Sequence, residues 1–321
     1  MSERAGHGQG REAEQAGLPE AEGTGIVWQR TTPFLEAHVS PATARTVIAG
    51  IPLDHTTSFR PGTREAPRRI RDVSDGLESF SPGLHADLAD LGLGDYGDLI
   101  LPWGNVENAL ATIEQAGRTL LHDGRRVLTL GGEHLLTLGM VRAALARWPD
   151  LAVVQLDAHL DLRDTYLGER LSHATVMRRI LEMVGPGRVV PMGVRSGIRE
   201  EWAMFEEIRS HLARELSWRP EDPVARQARA VAEWLKGRPF YLTIDIDVAD
   251  PAAAPGTGTP EPGGPSAAEL LEAVRALAGA GPVAVDVVEV CPSKDPSDIT
   301  ALLAAKIVRE VLLAAAFHVR G

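Results

Sequence analysis

Short apolar runs recur along this chain, separated by segments of a different rhythm. "TVIAG" (46–50), "RVLTL" (126–130), "LAVVQLD" (151–157), "RVVPMGV" (188–194), "FYLTIDID" (240–247) and "PVAVDVVEV" (282–290) are rich in β-branched residues and read as strands. Between most of them, "VENALATIEQAGRTLLHDG", "TLGMVRAALARW", "ATVMRRILEMV", "PVARQARAVAEWLKG" and "SAAELLEAVRALAGAG" place apolar residues three and four apart, the spacing of a helix with one buried face. Strands alternating with helices predict an α/β fold whose mostly parallel sheet is covered on both faces. Residues 1–25 are rich in Gly, Glu and Ala and lack any such period, which predicts a disordered tail and leaves 26–321 as a single domain. "PAAAPGTGTPEPGG" (251–264) directly follows a strand ending in acids, so it reads as the wall of a site rather than a linker.

In open α/β sheets ligands collect beyond the carboxyl ends of the strands, and the polar residues of this sequence gather there. In "VVQLDAHLDLRD" (153–164), Asp157, His159 and Asp161 occupy every second position. Residues two apart on an extended chain face the same way roughly 7 Å apart, so the three can lean toward one point. "RVLTL" leads into Glu133 and His134, "FYLTI" into Asp245 and Asp247, and "PVAVDVV" into Glu289. Each has an ordinary use by itself: Asp-x-Asp caps helices, a histidine can sit satisfied in a core, and Gly-Gly can be a tight turn. Their joint occurrence at successive strand ends points to metal. His134, Asp157, His159, Asp161, Asp245 and Asp247 form an oxygen-rich set with two imidazoles, which suits Mn²⁺ better than a soft metal. Four carboxylates against two divalent ions leave a neutral core able to hold one hydroxide. Paired ions about 3.5–4 Å apart lower the pKa of water and present that hydroxide as a nucleophile.

Composition narrows the classes. The chain is 44% hydrophobic and 24% charged, as globular proteins are, and its single cysteine, Cys291, excludes an internal disulfide framework or a thiolate-rich zinc cluster. The formal charge of −11 argues against nucleic acid as a partner and is compatible with a cationic substrate. No apolar run approaches the roughly 20 residues of a membrane span. The N-terminus has neither a signal core nor transit-peptide character, so a cytoplasmic protein is expected.

From about residue 46 to 315 the sequence resembles the ureohydrolases, the arginase and agmatinase family, on "GGEH", "DAHLD", "SHAT", "IDIDVADPAAAPGTGTPEPGG" and "DVVEVCP". The resemblance implies a Mn²⁺ hydrolase that converts a guanidino group to urea and an amine. It also implies a three-layer α-β-α fold around a parallel sheet of about eight strands, and a homo-oligomer, trimer or hexamer. It places His134, Asp157, Asp161 and Asp245 around one metal, and His159, Asp157, Asp245 and Asp247 around the other. Glu289 would bind the guanidinium, His173 would carry the proton to the departing amine, Thr259 would line the intermediate, and Asp161 joins His173 and Glu289 as catalytic. Arg163 and Asp164, beside the metal strand, are candidates for the far end of the substrate. "IAGIPLDHTTSFRPGTREAPRRIR" (48–71), "GDYGDL" (94–99) and "GVRSG" (193–197) resemble the agmatinase branch, and "DLRDTYLGERLSHA" lacks the Asn-rich stretch with which arginases hold an amino acid. Agmatine, yielding urea and putrescine, is therefore the expected substrate.

The sequence also departs from the family pattern: Glu133 and Leu135 stand where "GGDHS" has Asp and Ser, Ala174 gives "SHAT" for "SHGT", and Pro265 gives "PGGPS" for "PGGLS". Other readings stay open at this level. A guanidino acid such as guanidinobutyrate or guanidinopropionate, or formiminoglutamate, would need a cation such as Arg163 or Arg195 for its carboxylate. A non-catalytic binding protein of the same fold should have lost ligands, and a deacetylase-type enzyme would use one zinc.

Overall fold

The computed structural model describes residues 25–212, 216 and 222–316. The tail expected over 1–25 lies, but for Gly25, outside the described residues. The strands are β1 (Trp28–Gln29), β2 (Thr46–Ile51), β3 (Phe80–Ser81), β4 (Ala86–Asp87), β5 (Leu93–Leu99), β6 (Arg126–Gly131), β7 (Ala152–Leu156), β8 (Val189–Met192), β9 (Phe240–Asp245) and β10 (Ala284–Val288). The α-helices are α1 (Ala66–Ser74), α2 (Val106–Leu120), α3 (Leu136–Leu145), α4 (Val176–Val184), α5 (Arg199–Leu212), α6 (Val224–Trp234), α7 (Ala267–Ala278) and α8 (Ile299–Ala316).

Eight strands form one sheet in the order β1-β5-β2-β6-β10-β9-β7-β8, and β3 and β4 pair separately. All neighbours in the large sheet run parallel except β1, which pairs antiparallel with β5 at the edge. Every residue of β2, β7, β8, β9 and β10 is buried, which requires cover on both faces and explains why these strands read as unbroken apolar runs. The strands expected at 151–157, 240–247 and 282–290 are trimmed at their carboxyl ends, because those ends turn off the ladder to present polar side chains.

Elements that the apolar pattern passed over have identifiable causes. β5 carries Asp95 and Asp98, and α1 carries Arg71; together they form a buried cluster, with Arg71 Nε 2.8 Å from Asp95 and Nη1 2.6 Å from Asp98. Opposite charges that neutralise one another inside the fold make both elements look exposed in the sequence. α8 fails for the reverse reason: it is buried nearly all round, so it has no polar face to set a period. Its charged pair, Arg309 and Glu310, is held by Arg275 and Ser81.

β6, β10, β9 and β7 are consecutive neighbours in the sheet, and they are the four strands whose ends carry the acids and histidines. Returning chain therefore brings together segments as far apart in sequence as His134 and Glu289. Gly132 permits the approach: a Cβ there would stand 1.9 Å from the carbonyl oxygen of Leu53.

Candidate metal centre and its cavity

Beneath the site lies a rung of polar residues, one from each of the four strands. Thr129, Asp286, Thr243 and Gln155 are register partners across β6, β10, β9 and β7, and all four are fully buried. Two of them, Gln155 and Thr243, grip the layer above. Gln155 Nε2 donates to Asp157 Oδ2 at 2.7 Å. Thr243 Oγ1 lies 3.0 Å from His134 Nε2, while Thr137 and Tyr241 donate to Asp286 at 2.8 and 2.7 Å. A ring nitrogen engaged in this way leaves His134 Nδ1 as the one turned to the site.

His134 Nδ1 is buried with no aligned hydrogen-bond partner. It nonetheless lies 3.2, 3.1 and 3.4 Å from carboxylate oxygens of Asp157, Asp161 and Asp245. Four donor atoms converging without bonding one another is the arrangement of a coordination shell. His159 Nδ1 lies 3.0 Å from Asp247 Oδ2 and 3.7 Å from Asp157 Oδ1. Asp157 thus turns one oxygen to each group, and the sets His134–Asp157–Asp245 and Asp157–His159–Asp247 each present ligand atoms within 4.8 Å of one another. Asp245 also caps the short 3₁₀ turn Ile246–Val248 by accepting from the Asp247 N–H, so the ordinary use of Asp-x-Asp is present alongside the chemical one.

The electrostatics express a demand for positive charge. Burial opposes protonation of His159, but Asp247 and Asp157 outweigh it and hold the ring at about 12. His134 is likewise raised against its burial by the carboxylates of Asp157, Asp161 and Asp245 that crowd its Nδ1. Burial pushes Asp161 up to about 7, with the Asp157 charge adding to it, and lifts Asp245 and Glu289 well above the usual carboxylate range. Burial would raise Asp157 too, yet the two histidines beside it hold it well below that range. Carboxylates this crowded retain protons unless divalent cations take their place, and two imidazoles with four carboxylates fit hard or borderline ions.

The centre forms the floor of a cavity of about 360 Å³ lined by His159, Asp161, Asp245, Glu289, His173, Thr259 and Arg163, among others. Glu289 accepts the His134 N–H at 2.7 Å, and no Lys or Arg pairs with it among the described residues. Thr259 Oγ1 donates to Asp247 at 3.1 Å, and Thr257 bridges to Val290, which makes the 251–264 loop a cavity wall. Asp161 and Glu289 both adopt positive φ, 51° and 64°, an unfavourable backbone for side-chain-bearing residues and one that recurs at functional positions.

The His173 side chain caps no helix: Ser172 caps the short 3₁₀ turn His173–Thr175 by accepting from Ala174 and forming a capping box with Thr175, and α4 begins from Thr175 without a side-chain cap. The His173 imidazole is instead offered to the cavity, packed edge-on to Tyr166 with ring centroids 5.6 Å apart. Burial lowers its pKa to about 4, with the positive charge on His134 and His159 adding to the effect.

The two candidates for the substrate's far end part company. Arg163 lines the cavity, its guanidinium over the Tyr166 ring at 4.9 Å and 3.6 Å from Glu201. Asp164 is exposed outside the cavity lining and pairs with Arg179 and Arg170 at 2.7 and 3.2 Å. Arg195 donates to backbone oxygens of Gly193, Asp247, Val248, Ala249 and Glu261, so it serves the loop. Sequence reasoning missed Tyr166, Glu201, Ser58 and Thr56, which come from loops or from a helix without a chemical motif. It also missed Gln155 and Thr243, which two-residue counting back along β7 and β9 from Asp157 and Asp245 would have found. Of the departures from the family pattern, Leu135 is packed in the core, Ala174 lines the cavity, and the Pro265 carbonyl accepts from the Asp250 N–H.

Comparisons with known proteins agree with this geometry. The sequence profile described as the Arginase family matches residues 44–314. The agmatinase of Bacillus anthracis is 44% identical over 282 residues, covering 87% of this chain and 95% of that protein. The guanidinobutyrase of Pseudomonas aeruginosa is 35% identical over 295 residues, covering 90% and 92%. The crystal structure of the agmatine ureohydrolase of Thermoplasma volcanium superposes with a TM-score of 0.75 at 31% identity, covering 91% of this chain and 97% of that one. A family match over most of the length, on a sheet whose adjacent strand ends carry the paired histidine and aspartate groups, leads to one conclusion: the chain belongs to the arginase family.

Proposed function

We propose that the protein hydrolyses agmatine to urea and putrescine at a centre of two Mn²⁺ ions, held by His134, Asp157, Asp161 and Asp245 on one side and His159, Asp157, Asp245 and Asp247 on the other. The observation that carries this reading is Asp157, whose two oxygens face the two histidine-centred groups at the floor of a cavity that also contains Glu289. Such ions, when bound, make hydroxide available near neutral pH and offset the carboxylate charge.

The chain's own residues do the rest. Glu289, ionised once the cations offset its neighbours, holds the planar guanidinium over the floor through charge-assisted hydrogen bonds. Hydroxide adds to the guanidinium carbon, giving a neutral tetrahedral adduct, and Thr259, already bonded to Asp247, borders it. His173 takes the proton of the added hydroxyl and delivers it to the substituted nitrogen; the C–N bond then breaks, releasing putrescine and leaving urea. Asp161 completes the floor beside the reacting carbon. Burial, which lowers the pKa of His173 to about 4, keeps that ring neutral and able to accept at the start of this sequence.

Agmatine is favoured over a guanidino acid because both candidate cations already have partners: Arg163 is beside Glu201 and over the Tyr166 ring, and Arg195 is engaged by backbone oxygens. The greater identity to an agmatinase than to a guanidinobutyrase points the same way. No helix among the described residues is long and apolar enough to cross a membrane. The reading extends to a cytoplasmic homo-oligomer. The test is urea release from agmatine with Mn²⁺ and its loss with chelator. Urea from guanidinobutyrate and none from agmatine would overturn the choice of substrate.

A further inference from the structure

Glu133, one of the departures from the family pattern, reaches away from the metal centre. Its Oε1 accepts from the His55 N–H at 3.0 Å and its Oε2 from the Thr56 N–H at 2.9 Å. Backbone N–H groups only donate, so both oxygens act as acceptors. Thr56 Oγ1 stands 2.8 Å from Oε2 and therefore gives its one proton to Glu133. What remains on that hydroxyl is lone pairs, and they face His173: Thr56 Oγ1 accepts the His173 backbone N–H at 3.0 Å and lies 3.4 Å from Nδ1 of the ring.

The direction of that hydroxyl bears on which ring nitrogen carries the proton. With Nδ1 protonated, the ring donates toward Thr56, and toward Ser172 Oγ at 3.3 Å. With Nδ1 bare, its lone pair would oppose that of Thr56 Oγ1, and the Ser172 hydroxyl at 3.3 Å would be left as its one donor. On the cavity side Nε2 lies 3.4 Å from Ser58 Oγ, whose own proton is directed to Tyr166 Oη at 3.3 Å, so a bare Nε2 stays open to a proton from the cavity. The burial that keeps the ring neutral makes the choice of tautomer consequential, because a neutral imidazole can accept at only one nitrogen.

We propose that Glu133 and Thr56 are positioning residues that hold His173 as the Nδ1–H tautomer, leaving Nε2 open on the cavity side as the atom that receives and passes the proton. The inference rests on the reading of His173 as the proton carrier and deepens it. It gives Glu133 a task that a shorter Asp at the same position would reach less easily, since the carboxylate must extend from the end of β6 to the 54–57 loop.

The experiment has two arms. In ¹⁵N-histidine-labelled protein carrying diamagnetic Mg²⁺, with His173 signals assigned by their loss in His173→Asn, the spectrum should show a protonated Nδ1 and a bare Nε2; the reverse pattern overturns the proposal. In the Mn²⁺ enzyme, Thr56→Val should lower kcat for agmatine roughly tenfold with KM and metal content near wild type, while Thr56→Ser, which keeps the hydroxyl, should restore most of it. Wild-type kcat in Thr56→Val also overturns the proposal, as does a Thr56→Ser variant no better than Val. Absence of urea from the wild-type enzyme would instead count against the proposed reaction, and the spectrum alone would then decide the tautomer.

Discussion

The floor and the mouth of the cavity are built by different means. At the floor, His134, Asp157, Asp161, Asp245, Asp247 and Glu289 stand on or just beyond four adjacent strands, each less than a tenth exposed, with a polar rung beneath. At the mouth, Phe59, Tyr166 and Ile198 come from loops, and Phe59 is 65% exposed and Ile198 40%. A parallel sheet fixes its strand ends relative to one another by hydrogen bonds on both sides, whereas loops change without disturbing the ladder. The floor is therefore suited to hold one chemistry, and the mouth to vary which molecule receives it.

That contrast can be broken most sharply at the floor. Asp157→Ala removes the side chain that faces both histidine groups, so bound Mn²⁺ and activity should fall together, the rate by roughly 10⁴-fold or more. Metal analysis showing two ions still bound would overturn the ligand assignment. His173→Ala should lower turnover by roughly 10²–10⁴-fold, the usual contribution of a positioned proton carrier, with two Mn²⁺ per chain retained and partial recovery on adding imidazole. If metal is lost instead, His173 supports the centre and does not serve it.

Glu289→Gln keeps the shape and removes the charge, and a charged hydrogen bond of about 1.5–3 kcal/mol predicts that kcat/KM for agmatine falls roughly 10- to 150-fold. Mn²⁺ content should be unchanged, which metal analysis would check. The smallest effect belongs to the mouth. Glu201→Gln weakens the hold on Arg163, a partly exposed pair worth at most about 1 kcal/mol, and should shift the ratio of kcat/KM for guanidinobutyrate over agmatine upward by up to roughly fivefold. A ratio that does not move, measured by urea release from both substrates, would show that selectivity lies elsewhere in the mouth.

The same division governs what could be read before the structure. Asp157, His159, Asp161, Asp245 and Asp247 were legible because two-residue alternation at the end of an apolar strand is conspicuous, His134 because it follows another such strand, and the parallel sheet followed from the alternation of strands with amphipathic helices. Thr129, Asp286, Thr243 and Gln155 were not, because each is a single polar residue within a strand and only the register shows that they form one row. β5 and α1 were hidden by charges that cancel in space through Arg71, Asp95 and Asp98. Asp164 misled for a related reason: adjacency to the metal strand in sequence says nothing of direction, and its partners Arg179 and Arg170 draw it outward. Tyr166 and Glu201 carry no spacing signal, since loop position and helix packing alone bring them to the cavity.

Asp161 and Glu289 both hold a left-handed backbone at the floor. Each such position costs on the order of 1–3 kcal/mol, a sizeable part of the roughly 5–15 kcal/mol that keeps a protein folded. Glycine adopts that backbone freely, so directed evolution scored only on survival after heating would drift toward Gly at both positions and enrich robust proteins without activity. A thermostability screen of this enzyme must therefore select for urea release in the same round.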